Sequence, residues 1–151
     1  MNFLMYSLAA LTSYLGIAAG LIVMNAAKEE QKRGKRYFIA LQKIIITLII
    51  IFLFYFLGFN ILIFLVSLLI LLILFYKKES SYYIFAILGI VFYLSSFNQN
   101  LFLLESTWIF IYGLTTASLL INFKKKDYWI IILKSVPFLA VSLLLSFAAT
   151  F

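Results

Sequence analysis

Long apolar stretches fill the chain, separated by short polar breaks, and their spacing is that of membrane-spanning helices. A helix needs about 20 apolar residues to cross about 30 Å of hydrocarbon at about 1.5 Å per residue. Six stretches are candidates: residues 3–27, 37–57, 61–76, 81–97, 101–123 and 128–151. The third and fourth are short, so they are expected to cross with little tilt or to begin inside the turns. The stretches do not alternate in the manner of barrel strands. Two breaks, Gly58-Phe59-Asn60 and Asn98-Gln99-Asn100, carry no charge and supply the Gly or Asn that ends or caps a helix. The pattern predicts an all-α integral membrane protein, a single bundle of six transmembrane helices with short loops spanning residues 1–151.

Charge assigns sides to this thread. The first connection holds Lys28, Lys32, Arg33, Lys35 and Arg36, the third Lys77 and Lys78, the fifth Lys124, Lys125 and Lys126. Ten of the twelve basic residues thus fall in odd-numbered connections, and the even-numbered ones hold none. The positive-inside rule makes that side cytoplasmic and places both termini outside. Aromatic residues gather where interfaces should lie: Tyr37, Tyr76, Tyr82, Tyr83, Tyr128 and Trp129 on the basic side, Tyr55, Phe59, Phe97 and Trp108 on the other. The first stretch has no basic region ahead of it, and Asn25-Ala26-Ala27 is a poor cleavage site, so it reads as a span rather than a leader.

Composition closes off most alternatives. Of 151 residues, 66% are hydrophobic and 11% charged, too few charges to cover a water-soluble globule of this size. The net charge is +7, and there is neither Cys nor His, which excludes disulfides, thiolate chemistry and imidazole catalysis. Richness in Ile, Lys, Phe, Tyr and Asn suggests a prokaryotic cytoplasmic membrane as the setting.

Helices in lipid associate through close packing and polar contacts, often at small residues. On the first stretch Ala9, Ser13, Gly16, Gly20, Val23 and Ala27 recur at helical spacing and draw one seam, with Gly16 and Gly20 as a GxxxG pair. Ala9, Ser13, Gly16, Gly20 and Ala27 are the expected helix-packing residues, used within the chain or against a partner. The second and third stretches, nearly solid Ile, Leu and Phe, are expected to face lipid.

Few groups can carry chemistry. Glu105 is the one acid clearly inside an apolar stretch, about four residues into its span, and is the candidate proton or cation site, with Ser106, Thr107 or Asn100 as helpers. The bland alternative is a boundary residue touching headgroups or a hydroxyl. Lys43 and Lys134 lie early in spans that start on the basic side; both can snorkel to that surface or line a cytoplasmic polar site. Pro137, the single proline, removes a backbone donor in the sixth span and is expected to kink it beside Lys134. Lys28, Lys32, Arg33, Lys35 and Arg36 favour anionic headgroups.

Catalysis is disfavoured by subtraction: one Asp, no His, no acidic cluster for a metal, and hence no cofactor or metal site. The leading expectation is a non-catalytic membrane subunit or scaffold, meeting a second copy or another membrane protein through the small-residue face of the first helix. The alternatives are a small transporter or channel for protons, cations or a small solute, using Glu105 and the proline-bearing sixth helix, and a lipid-binding protein. Nucleic acid is not an expected partner, because no folded domain presents a basic surface.

Overall fold

Six helices follow one another along the chain: α1 (Phe3–Ala26), α2 (Lys28–Leu57), α3 (Ile61–Tyr76), α4 (Ser81–Ser95), α5 (Gln99–Leu120) and α6 (Lys125–Ala148). The computed structural model describes residues 3–58, 60–76, 81–120 and 125–148, and among these there is no strand. Phe59, the Lys77–Lys78 pair and Lys124 lie outside the described residues, as do the side chains of Lys28, Lys32, Tyr76, Lys125 and Lys126. Four helical segments are long and apolar enough to cross a membrane: Phe3–Ala26, Arg33–Leu57, Gln99–Leu119 and Tyr128–Ala148. The 16 residues of α3 and 15 of α4 give lengths of only about 24 and 22 Å. Among the described residues the chain is therefore apolar and all-helical, with four helices of spanning length.

The helix ends show how turns are made where no charge is available. Gly58 adopts φ 62°, the left-handed region, and its N–H donates to the Phe54 carbonyl to close α2. Asn60 starts α3, its side-chain oxygen accepting from the Leu62 N–H at 3.3 Å. Asn98 caps α5 in the same way, accepting from the N–H groups of Asn100 and Leu101 at 3.1 and 3.2 Å.

The first connection departs from expectation. The basic run 28–36 is helical, and Ala27 alone separates α1 from a 30-residue α2. Lys, Glu, Gln and Arg are all good helix formers, and no proline interrupts them, so the charged segment stays helical. Arg33, Lys35 and Arg36 are exposed on this first part of α2.

Residue pairs fix the helix directions. Ser13 bonds the Ser106 carbonyl, Gly16 faces Phe110, and Gly20 faces Leu114 and Ala117, so α1 and α5 run parallel in close contact. Against α6, α1 is antiparallel: Tyr6 bonds the Ser142 carbonyl at 3.1 Å, and Asn25 accepts from Tyr128 at 2.7 Å. Phe85 against Tyr112 and Phe92 against Phe102 make α4 antiparallel to α5. Gln42 bonded to Tyr112 and Phe52 stacked on Trp108 do the same for α2. Gly89 lets α4 approach α6, since a Cβ there would stand 2.8 Å from the Phe138 carbonyl oxygen.

At the end away from the basic run, Tyr6, Phe92, Phe102 and Phe138 from four helices form a buried aromatic cluster with ring centroids 4.9–5.9 Å apart. Each such ring pair contributes about 0.5–1.5 kcal/mol beyond area burial, useful where lipid removes the usual hydrophobic drive. Helix α3 sits outside this core. Phe64 reaches Phe54 of α2, while Ile61, Leu62, Ile63, Leu65, Val66 and Leu69 are exposed.

The inward stripe of α1 is rotated from the expected seam. Its buried positions are Tyr6, Ala10, Ser13, Gly16, Ile17, Gly20 and Met24. Ala9 is half-buried, Val23 is 45% exposed, and Ala27 is the link to α2 rather than part of α1. Two adjacent stripes share the same 3,4 spacing, and the large residues Tyr6, Ile17 and Met24 decide between them by filling the groove beside the glycines. Trp108 is half-buried and stacks on Phe52 of α2 at 6.4 Å.

Candidate functional site: a buried carboxyl on α5

Helix α5 presents a small-residue face and a polar face to its neighbours. Ser106, Phe110, Gly113 and Ala117 face α1. Tyr112 and Thr116 each fall within about 20° of Glu105, on either side of it, on a helix of 100° per residue, and both meet α2 through Gln42. Glu105 is the seventh residue of α5, about 9 Å from its start. That is deeper than a span beginning at residue 101 implies, because the Asn98 cap sets the helix start earlier.

The Glu105 side chain is 0% exposed, and neither carboxyl oxygen has a hydrogen-bond partner among the described residues. Along α5 it lies between two aromatic contacts: Phe102 against Phe92 of α4, and Trp108 on Phe52 of α2. One turn to either side, Leu101 and Ile109 are buried too. The expected helpers are directed elsewhere. Ser106 donates to the Phe102 carbonyl at 2.6 Å, Thr107 to the Leu103 carbonyl at 3.0 Å, and Asn100 is exposed. Helical hydroxyls commonly bond back to the preceding turn, which is why proximity in sequence did not bring them to the carboxyl.

Toward the basic end of the same face lies a polar group that sequence reasoning missed. The Gln42 side-chain amide donates to the Tyr112 hydroxyl at 3.1 Å and to Thr116 Oγ1 at 2.8 Å. Tyr112 is wholly buried, and Thr116 is 1% exposed. The available signal was spacing: Tyr112 and Thr116 stand seven and eleven residues beyond Glu105, and steps of 7 and 11 return to one helix face.

The other predicted residues do not join Glu105. Lys43 is exposed and Lys134 half-buried, on α2 and α6. Pro137 is buried inside a continuous α6. Beside it Ser135 donates to the Ile132 carbonyl and to the Tyr14 hydroxyl, and Ser142 to the Leu139 carbonyl; neither serves the Leu133 carbonyl that a proline at 137 frees. An open cleft of about 440 Å³ between α1 and α5 is lined by Thr12, Ser13, Ser106 and Thr107. Those four hydroxyls each donate to a backbone carbonyl, so the cleft offers acceptors alone. Among the described residues no group of three or more acidic, His or Cys side chains is placed to hold a metal.

No protein family, curated protein or solved structure matches the chain.

Proposed function

We propose that this chain is a small non-catalytic membrane transport protein in which Glu105 is the ion-binding carboxyl. A single observation carries the reading: an acid on a helix of spanning length, wholly buried, with both oxygens unpartnered among the described residues. A charged side chain near mid-membrane costs about 2.5–3.5 kcal/mol on insertion scales, and hydrogen bonds to a donor would offset this. No such bond is made among the described residues, so none of them offsets that cost. A residue held at a cost to stability fits a role in binding. In this reading the basic end of the bundle faces the cytoplasm, and Arg33, Lys35 and Arg36 meet anionic headgroups there.

The subunit or scaffold reading is less well supported, because the α1 face it needs is occupied by α5. Both Gly16 and Gly20 lie against the α5 backbone, so the GxxxG pair is not open to a partner helix.

Purified protein in liposomes tests the proposal. Flux of protons, sodium, potassium or small solutes above that of empty vesicles is expected for at least one species, and Glu105→Gln is expected to abolish it. Flux equal in native and Glu105→Gln vesicles for every species would remove the reading.

A further inference from the structure

We infer that the ion taken by Glu105 is a proton, reaching it from the basic end of the bundle through Gln42, Tyr112 and Thr116, with Ile109 as a dry barrier in between. This rests on the transport reading above and specifies its ion and route.

The choice of ion follows from counting oxygens. A bare metal cation leaves water only where several oxygen ligands replace its hydration shell, commonly six or so for the hard cations. Glu105 supplies two oxygens, and no hydrogen-bonding group among the described residues reaches either. Ser106 and Thr107 are committed to the α5 backbone. The next polar side chain on this face, Tyr112, is seven residues on, about 10 Å along the axis. A proton needs one oxygen and no shell. Its transfer is balanced: the carboxyl O–H bond breaks, the electron pair stays on oxygen, and a new O–H bond forms on a water admitted past Ile109, which passes a proton on toward the open end.

The route follows from the anchored pairs between α2 and α5. Gln42 is level with Tyr112 and Thr116, and Phe52 is level with Trp108. Between those levels α2 buries Ile45, Ile46 and Ile49, and α5 buries Ile109, which is 3% exposed. Ile109 is four residues from Glu105 and three from Tyr112, so it stands between the carboxyl and the polar group on one helix face. A proton thus meets hydroxyl and amide groups first, then an aliphatic layer that must open or admit water, then the carboxyl.

No other charge competes for the site among the described residues. The titratable groups on the helices around α5 are Tyr6 and Tyr14 on α1, Lys43 on α2, Tyr82, Tyr83 and Tyr93 on α4, and Tyr128 and Lys134 on α6; toward its exposed ends α2 also carries Glu29, Arg33, Lys35, Arg36, Tyr37 and Tyr55. Tyr6 is the one of these that is wholly buried, and its hydroxyl is given to the Ser142 carbonyl.

Infrared difference spectroscopy of the protein in liposomes reads the carboxyl directly. A carboxylic C=O band that Glu105→Gln removes is expected to fade as pH is raised and to ignore added sodium or potassium. Its hydrogen–deuterium exchange is expected to slow several-fold in Tyr112→Phe and to quicken several-fold in Ile109→Ser, with Ile109→Val near native as the fold control. A band unmoved by pH, or one erased by sodium or potassium at fixed pH, overturns the proton assignment while leaving the transport reading to its own flux test. Unchanged exchange in Tyr112→Phe and Ile109→Ser overturns the route.

Discussion

Gly16 on α1 is seated directly on the backbone of Phe110 on α5: a Cβ there would overlap the Phe110 carbonyl oxygen and stand 2.9 Å from the Phe110 Cα. The two parallel helices touch because neither Gly16 nor, one turn on, Gly20 has a side chain. A Cβ at Gly20 would lie 2.8 Å from the Ala117 Cβ and 2.5 Å from the Leu114 carbonyl oxygen.

Substitution at these positions should therefore separate α1 from α5. Overpacking typically costs about 1–3 kcal/mol, and the obstacle here is backbone, which yields least. Gly16→Ala is expected at or above the top of that range, Gly16→Leu beyond it. Gly58→Ala meets nothing within 4 Å and bears only the cost of its positive φ, about 1–2 kcal/mol. Thermal unfolding in mild detergent should rank the variants in that order.

Glu105→Leu should stabilise the protein while removing its transport. Replacing a buried polar group that has no partner relieves a penalty of about 1–3 kcal/mol, so a higher Tm than native is expected. Glu105→Gln keeps an amide to satisfy and should not share the gain. A lowered Tm for Glu105→Leu would mean that the carboxyl holds the bundle together.

The bonds from Gln42 to Tyr112 and Thr116 tie α2 to α5. Interhelical hydrogen bonds in membranes average about 0.6 kcal/mol in double-mutant cycles, with a maximum near 1.7. A cycle of Gln42→Leu and Tyr112→Phe, followed by denaturant unfolding, should give a coupling within that range and of stabilising sign. Zero coupling would remove this link between the helices.

The chain contains no Cys, so single cysteines report sidedness without background. If the helices alternate across the bilayer, Arg36→Cys and Lys125→Cys should react with an impermeant maleimide from one side and Asn100→Cys from the other. Reaction of Arg36→Cys and Lys125→Cys from opposite sides would require an odd number of crossings between them, as when only one of α3 and α4 crosses.

Helix existence was plain in the sequence because a long apolar run has few other ways to satisfy its backbone in lipid. Gly58, Asn60 and Asn98 were legible as end signals for the same local reason. The start of α2 was misread because charge was taken as a loop signal, whereas 28–36 is made of helix formers apart from Gly34. The inward face of α1 depended on which large residues fit beside α5, and helical spacing alone left two stripes equivalent. Glu105 stood out by charge in an apolar setting, but its companions on the face, Tyr112 and Thr116, look like ordinary membrane-helix residues until Gln42 of α2 is placed opposite.

The pairing of α1 with α5 also sets an order for assembly. Ser13 finds its partner 93 positions later, so α1 must wait for α5 to be made before its glycine face is covered. Contacts so distant along a chain form late. During synthesis that face is shielded only by lipid or by whatever insertion machinery escorts it. A nascent chain halted before Gln99 should remain open to capture by other helices, and crosslinks from Gly16 to neighbouring proteins should vanish once Ala117 has entered the bilayer.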